Sequence, residues 1–240
     1  MNIIDKQNLD FYNELWSDEQ HHHAYPNINT VRCEAWYFRG NASTPGYLLD
    51  YGHGCGNEAI HFAKLGYQVE ALEVSHYARN ILLKKLNGRW HHLASRIKTT
   101  LLKEDYSRLP YEDASFDYIN STQVIYHLPN EMALQNLINE WYRIMKPGGK
   151  LMFSTIGPGN SLVEDGVLQK QEKHLAIYEH LHPHEINAQK QTVNALYISN
   201  EKDMEYICHP FIVEEIGWYT NHYCGIDGFH WQVLAKKKKW

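Results

Sequence analysis

LLDYGHGCGNEA, residues 48–59, decides the fold. A short β-rich run, YLLDYG (47–52), enters a loop with glycines at 52, 54 and 56, and an apolar-periodic stretch, NEAIHFAKLG, follows to Gly66. Glycine permits positive φ and lets a ligand approach the backbone closely. A helix that opens on such a loop turns its free N–H groups and the positive end of its dipole toward the loop. Seventeen residues after Gly56, Glu73 closes the next predicted strand, YQVEALEV (67–74). A carboxylate there can accept hydrogen bonds from ribose hydroxyls. Strand, glycine loop, helix and acid, in that order, predict a nucleoside site.

Outward from this stretch, β-rich runs alternate with helical ones, the signature of a parallel sheet with helices on both faces. Ser75 is placed to cap a helix, HYARNILLKKLNG, that stops at Gly88. IKTTLLKEDY (97–106) reads as a third strand and FDYINSTQVIYH (116–127) as a fourth with its exit loop. EMALQNLINEWYRIM (131–145) is an amphipathic helix ended by Pro147-Gly148-Gly149, and KLMFSTIG (150–157) is a fifth strand. Before the sheet, residues 3–16 have a helical apolar stripe, residues 20–30 read as irregular, and 31–38 as a second helix. After it come a strand at 193–198, a short helix opened by Ser199 or Asn200, and two strands around Gly225-Ile226-Asp227-Gly228, a hairpin signal.

The chain has 240 residues, 43 % hydrophobic and 21 % charged, a globular mix with a net charge of −5. That balance argues against an extended nucleic-acid surface, which needs clustered Lys and Arg. No apolar run approaches the length of a membrane span, and the acidic start MNIIDKQNLDFYNELW has no signal-peptide pattern. Four Cys without a C-x-x-C pair predict a reduced, cytoplasmic protein. The terminal KKKKW reads as a solvated chain end.

LLDYGHGCGNEA resembles the first motif of class I S-adenosylmethionine-dependent methyltransferases, usually LDLGCGTG; His53 stands for the usual Cys and Cys55 for the usual Thr. ALEVS (71–75), KEDY (103–106), FDYINSTQVIYHL and RIMKPGGKLMFST (143–155) are similar to the family's later motifs. The resemblance spans about residues 45–157. It implies an α/β fold: a Rossmann-like, seven-stranded, mostly parallel sheet with helices on both faces and an antiparallel C-terminal hairpin strand. The whole chain, 1–240, then forms one domain: an N-terminal helical lid (1–44), a cofactor-binding core (45–157), an insertion serving as substrate cap (158–217) and the hairpin (218–240).

The resemblance also implies the cofactor, S-adenosyl-L-methionine, released as S-adenosyl-L-homocysteine. Asp50 would support its methionine amino group, with Gly52, His53, Gly54 and Gly56 giving backbone contact. Glu73, with Val74 beside it, would hold ribose, and Asp105 with Tyr106 would meet adenine. Ser121, Thr122 and Gln123 would border the methionine part. His127 is the candidate proton acceptor. Tyr126 and the lid residues Tyr12, Trp16, Tyr25, Arg32, Trp36 and Tyr37 are the candidate acceptor site, with Arg32 suited to a carboxylate or phosphate. YPNINTVR (25–32) is similar to a subgroup acting on small metabolites or sugar-derived groups.

The function implied is methyl transfer to a small-molecule acceptor at O or N, by a monomer or homodimer. An RNA or protein methyltransferase and a non-catalytic S-adenosylmethionine-binding protein remain open. An NAD-dependent oxidoreductase fits less well, since its fingerprint wants Gly or Ala where Asn57 stands. The sequence holds 16 His, among them HHH (21–23), His91-His92 and HLHPH (180–184), without standard ligand spacing, so no metal is expected.

Overall fold

The computed structural model describes residues 6–17, 25–40, 45–102, 108–164, 168–172, 174–180, 191–223 and 226–239. Helix α1 (Lys6–Ser17) and α2 (Ile28–Cys33), continued by a π-helical turn (Glu34–Arg39), precede the sheet. Then follow β1 (Tyr47–Tyr51), α3 (Asn57–Lys64), β2 (Gln68–Glu73), α4 (His76–Asn87), a 3₁₀ turn (His91–Arg96) and β3 (Ile97–Leu101). β4 (Phe116–Thr122), a second 3₁₀ turn (Ile125–His127), α5 (Glu131–Ile144) and β5 (Met145–Ile156) complete the alternating part. Beyond lie α6 (Ser161–Glu164), β6 (Leu168–Glu172), β7 (Leu175–His180), β8 (Gln191–Leu196), α7 (Glu201–Cys208), β9 (Ile212–Tyr223) and β10 (Ile226–Lys236).

Seven strands form one sheet in the order β3-β2-β1-β4-β5-β10-β9. The first five are parallel, while β10 runs antiparallel to both β5 and β9. This is the Rossmann-like sheet with an antiparallel hairpin that the motifs implied. Side chains of β1 alternate between faces. Leu48 enters a core with Phe62 of α3, Leu82 of α4 and Phe38 of the π-turn. Leu49 enters the opposite core with Leu137 and Trp141 of α5 and Met204 of α7. β6, β7 and β8 form a separate antiparallel sheet within the insertion.

Short polar side chains start the helices by accepting an otherwise orphaned backbone N–H. Ser75 accepts from Ala78, Asn130 from Ala133, and Asn200 from Asp203. Asn27 does the same for Asn29, so α2 begins inside the stretch expected to be irregular. The third strand ends at Leu101, short of the expected Tyr106. The fifth begins at Met145, before the Pro-Gly-Gly element rather than after it. The basic tail is not wholly solvated. Lys237 is buried, and its Nζ donates to the carbonyls of Tyr142 (2.7 Å) and Met145 (2.8 Å), closing the C-terminal end of α5.

Candidate functional site

The glycine loop is shaped by three left-handed residues: Gly52 (φ 73°), Gly54 (φ 51°) and Gly56 (φ 79°). A Cβ at Gly52 would stand 2.5 Å from both Val124 methyls, and one at Gly56 2.5 Å from Leu82 Cδ1. The loop is tied from both neighbours. The amides of Gly52 and His53 donate to the Leu72 carbonyl (2.9 and 3.2 Å). Lys85 Nζ donates to the Cys55 carbonyl (2.7 Å) and to Asn57 Oδ1 (2.8 Å). Glu73 is held by three amides: Oε2 accepts from Gly54 (2.8 Å), and Oε1 from Val74 (2.7 Å) and Ser75 (3.1 Å). A carboxylate offers about four acceptor sites, so capacity remains on Oε2.

A cavity of about 490 Å³ opens beside this loop. Gly52–Cys55 and Leu72–Val74 line one side, and Thr122, Gln123, Val124, Tyr126 and His127 the other. Asn8, Leu9 and Trp16 of α1, with Tyr25 and Asn27, form a roof, and Asn221 reaches in from β9. Asn8 fastens the roof. Its Nδ2 lies 2.9 Å from the His127 carbonyl and 3.0 Å from that of Asn194, and its Oδ1 accepts the Asn194 amide (3.0 Å). Further along, Asn57 Nδ2 donates to the Tyr25 carbonyl (3.2 Å), the Asn27 amide to Glu58 Oε1 (2.8 Å), and the hydroxyls of Thr30 and Thr122 share a bond of 2.7 Å.

Residues 49–153 match the family described as methyltransferase domain. The resemblance to class I S-adenosylmethionine-dependent methyltransferases holds on this match. Phosphoethanolamine N-methyltransferase 2 of Caenorhabditis elegans is 32 % identical over 113 residues, 47 % of this chain and 24 % of that protein. A ubiquinone biosynthesis O-methyltransferase of Nitrosococcus oceani is 27 % identical over 143 residues, 59 % of this chain and 56 % of that one. The chain thus matches between a quarter and just over half of these relatives' lengths. A solved S-adenosylmethionine-dependent methyltransferase of Methanosarcina mazei shares the fold: TM-score 0.68, 17 % identity, covering 90 % of this chain and 100 % of that one.

Between the glycine loop and its roof, the structure gathers Gly52, His53, Gly54, Glu73, Val74, Thr122, Gln123, Tyr126, His127, Trp16 and Tyr25 around the cavity. Gly56 lies at the start of α3, just outside the lining. Ser121 is fully buried in β4 and does not line the cavity; its Oγ has no hydrogen-bond partner among the described residues. Asp50 is likewise absent from the lining. Arg32 and Trp36 are exposed, and Tyr37 packs outside, its OH 2.7 Å from Glu214 Oε2. The turn through α2 and the π-turn presents these three away from the cavity, so the expected anion clamp at Arg32 is not assembled. Asp105, Tyr106 and the side chain of Tyr12 lie outside the described residues, as do His21–His23, His182 and His184. No group of His, Cys, Asp or Glu among the described residues is arranged to hold a metal.

Sequence reasoning missed Asn8, Glu58, Asn221 and a polar bridge behind Gln123. Gln123 sits at φ 57°, rare for a non-glycine residue, with its amide donating to Ser154 Oγ (3.0 Å). Its Nε2 donates to Tyr219 OH (3.2 Å) and lies 3.3 Å from His230 Nε2. Left-handed geometry outside glycine is the one local signal here, and it is not visible in a sequence.

Burial sets the site's protonation. It pushes the His127 imidazole down to about 3 and lowers His53 as well. Burial, with Glu58 and Glu73 nearby, raises Asp50 to about 8, although the Asn120 amide donates to its Oδ1 (2.7 Å). The unfolded chain protonates His127 near pH 6.5, whereas the fold refuses that proton until about 3. Stability from this group is therefore lost as pH falls below 6.5, by about 1–2 kcal/mol at pH 5. Asp50 acts oppositely: the fold keeps a proton that the unfolded chain releases above about 4, so its contribution declines as pH rises toward 8. His127→Gln should flatten the acid limb of the thermal midpoint against pH between 6.5 and 5. A variant curve parallel to wild type would contradict the assignment.

Proposed function

We propose that the chain transfers a methyl group from S-adenosylmethionine to a small-molecule acceptor, in the cytoplasm. The observation that carries this reading is a single roofed cavity. It joins the glycine loop and Glu73 to a wall of Trp16, Tyr25, Tyr126 and His127. The glycines, two of them with no room for a Cβ, and the rigid, amide-held Glu73 fit a nucleoside with its ribose. When bound, S-adenosylmethionine supplies a methyl group already activated by its sulfonium. The protein's part is then to position the acceptor and exclude water.

The roof of α1, fastened through Asn8, supports a compact acceptor over a polymer. Free Cys33, Cys55 and Cys208 support a reducing compartment. No described helix is long and apolar enough to cross a membrane. His127, with its pKa far below neutrality, is a poor proton sink and a better hydrogen-bond acceptor for orienting the substrate. The acceptor should accordingly be nucleophilic without a protein base, such as a free amine or an acidic phenol. Turnover should then follow the acceptor's own ionisation with pH.

Calorimetry with S-adenosylhomocysteine on the folded protein tests the cofactor, and absence of binding would end the reading. Transfer of labelled methyl to a panel of small amines and phenols, beside RNA and protein substrates, tests the acceptor. Labelling confined to RNA or protein would overturn the small-molecule assignment.

A further inference from the structure

We propose that Glu58, and not Asp50, is the carboxylate that meets the α-ammonium of the methionine part of S-adenosylmethionine. This rests on the cofactor reading above. The α-ammonium is a compact cation with three N–H donors, and an anionic acceptor within the cavity gives it its strongest, charge-assisted bond. Asp50 does not qualify. It is 2 % exposed and lies outside the lining. Its Oδ1 takes the Asn120 amide, and its Oδ2 is buried without a hydrogen-bond partner among the described residues, so the carboxyl is not presented to the cavity. Glu58, on the first turn of α3, lines the cavity, and its Oε1 accepts the Asn27 amide at 2.8 Å. Its own backbone amide bonds the carboxylate as well, and two such bonds on about four acceptor sites still leave capacity for an incoming ammonium.

Its place along the cavity also suits the amino-acid end. Glu73 closes β2, on one flank of β1, where the resemblance places ribose. Glu58 is joined to Asn27, and Thr30, one turn on, bonds Thr122 at the end of β4, on the other flank. Both acids line one cavity, Glu73 at the end of β2 and Glu58 on the first turn of α3, so a nucleoside held at Glu73 leaves Glu58 for an amino-acid cation. Burial raises Glu58 above the ordinary carboxylate range, and an approaching cation opposes that shift.

The test compares S-adenosylhomocysteine with 5′-methylthioadenosine, which keeps the nucleoside thioether and lacks the amino-acid group. Calorimetry is run on wild type, Glu58→Gln and Asp50→Asn, each checked for folding by circular dichroism. A lost charge-assisted bond predicts that Glu58→Gln weakens S-adenosylhomocysteine by about tenfold or more and 5′-methylthioadenosine by less than about twofold. Asp50→Asn should leave the ratio of the two affinities unchanged. Should Glu58→Gln not fold, Glu58→Asp, which keeps the charge on a shorter arm, must show the same selective loss in smaller measure. Equal losses for both ligands, no loss, or a selective loss on Asp50→Asn would overturn the assignment while leaving the cofactor reading intact. Failure of folded wild type to bind either ligand would instead remove the cofactor reading itself.

Discussion

Glu73→Gln should weaken S-adenosylhomocysteine binding by about a hundredfold, the largest effect expected of any single-atom exchange in this chain. Three backbone amides converge on the carboxylate, from Gly54 on Oε2 and from Val74 and Ser75 on Oε1. A carboxamide can offer an acceptor to one side alone; its NH₂ must then face an N–H donor on the other. An unmet buried donor costs about 1–3 kcal/mol, and the charge-assisted bond to ribose weakens at the same time. The first cost falls on the thermal midpoint, because those amides meet Glu73 with or without ligand; the lost charge-assisted bond, at the upper end of about 1.5–3 kcal/mol, is the hundredfold in affinity. The readout is calorimetric affinity, with the thermal midpoint recorded beside it. A loss smaller than about threefold would mean that Glu73 does not hold the nucleoside.

Gly56→Ala should lower stability by about 2–5 kcal/mol, and the thermal midpoint by about 5–15 °C for a domain of this size. Two costs add. The residue sits at φ 79°, where an L side chain is strained, and its new methyl would meet Leu82 at 2.5, 2.9 and 3.0 Å. Leu82 is completely buried against Leu48 and Phe62 and cannot swing away. The double variant Gly56→Ala/Leu82→Ala separates the costs: it should recover the clash but not the backbone strain, giving a coupling energy opposite in sign to the single losses. Strict additivity would show that the contact is not the cause. Gly54→Ala is the contrasting case, because its methyl would touch the edge of the Trp16 ring at 3.1 Å. That variant should disturb ligand closure more than folding.

The alternating core was readable because its signals are local. The strand at 47–51, the glycine turn, the Ser75 cap and the stripe of α5 each lie within a few residues of one another, and each matches a backbone rule that a short peptide already obeys. The roof was not readable for the opposite reason. Asn8 bonds residues 119 and 186 positions away, and nothing around Asn8 announces either partner. Trp36 and Tyr37 were expected in the lid on aromatic density alone. The cap at Asn27 and the π-turn that follows fix the direction of this segment, and they leave Trp36 85 % exposed. Nothing in the sequence marks Glu58; only the fold brings the amide of Asn27, 31 positions away, onto its carboxylate. Asp50, given its role by resemblance, lies outside the cavity lining. The side-chain alternation of β1 sets it on the face of Leu48, beneath α3.

The position of β10 has a consequence during synthesis. It lies between β5 and β9 and pairs with β5 from His230↔Ile156 to Lys236↔Lys150. Until residue 236 has emerged, β5 borders the half-built sheet as an open edge, and its last six residues, 151–156, are ones the finished fold buries completely. Eighty residues separate Ile156 from Lys236. At about 5–20 residues per second the nascent chain carries that apolar edge for roughly 4–16 s. An edge of this kind invites pairing with other chains. Crowded expression should therefore tax this protein through its unfinished sheet, and slowing initiation should raise the soluble yield more than any change at the cavity.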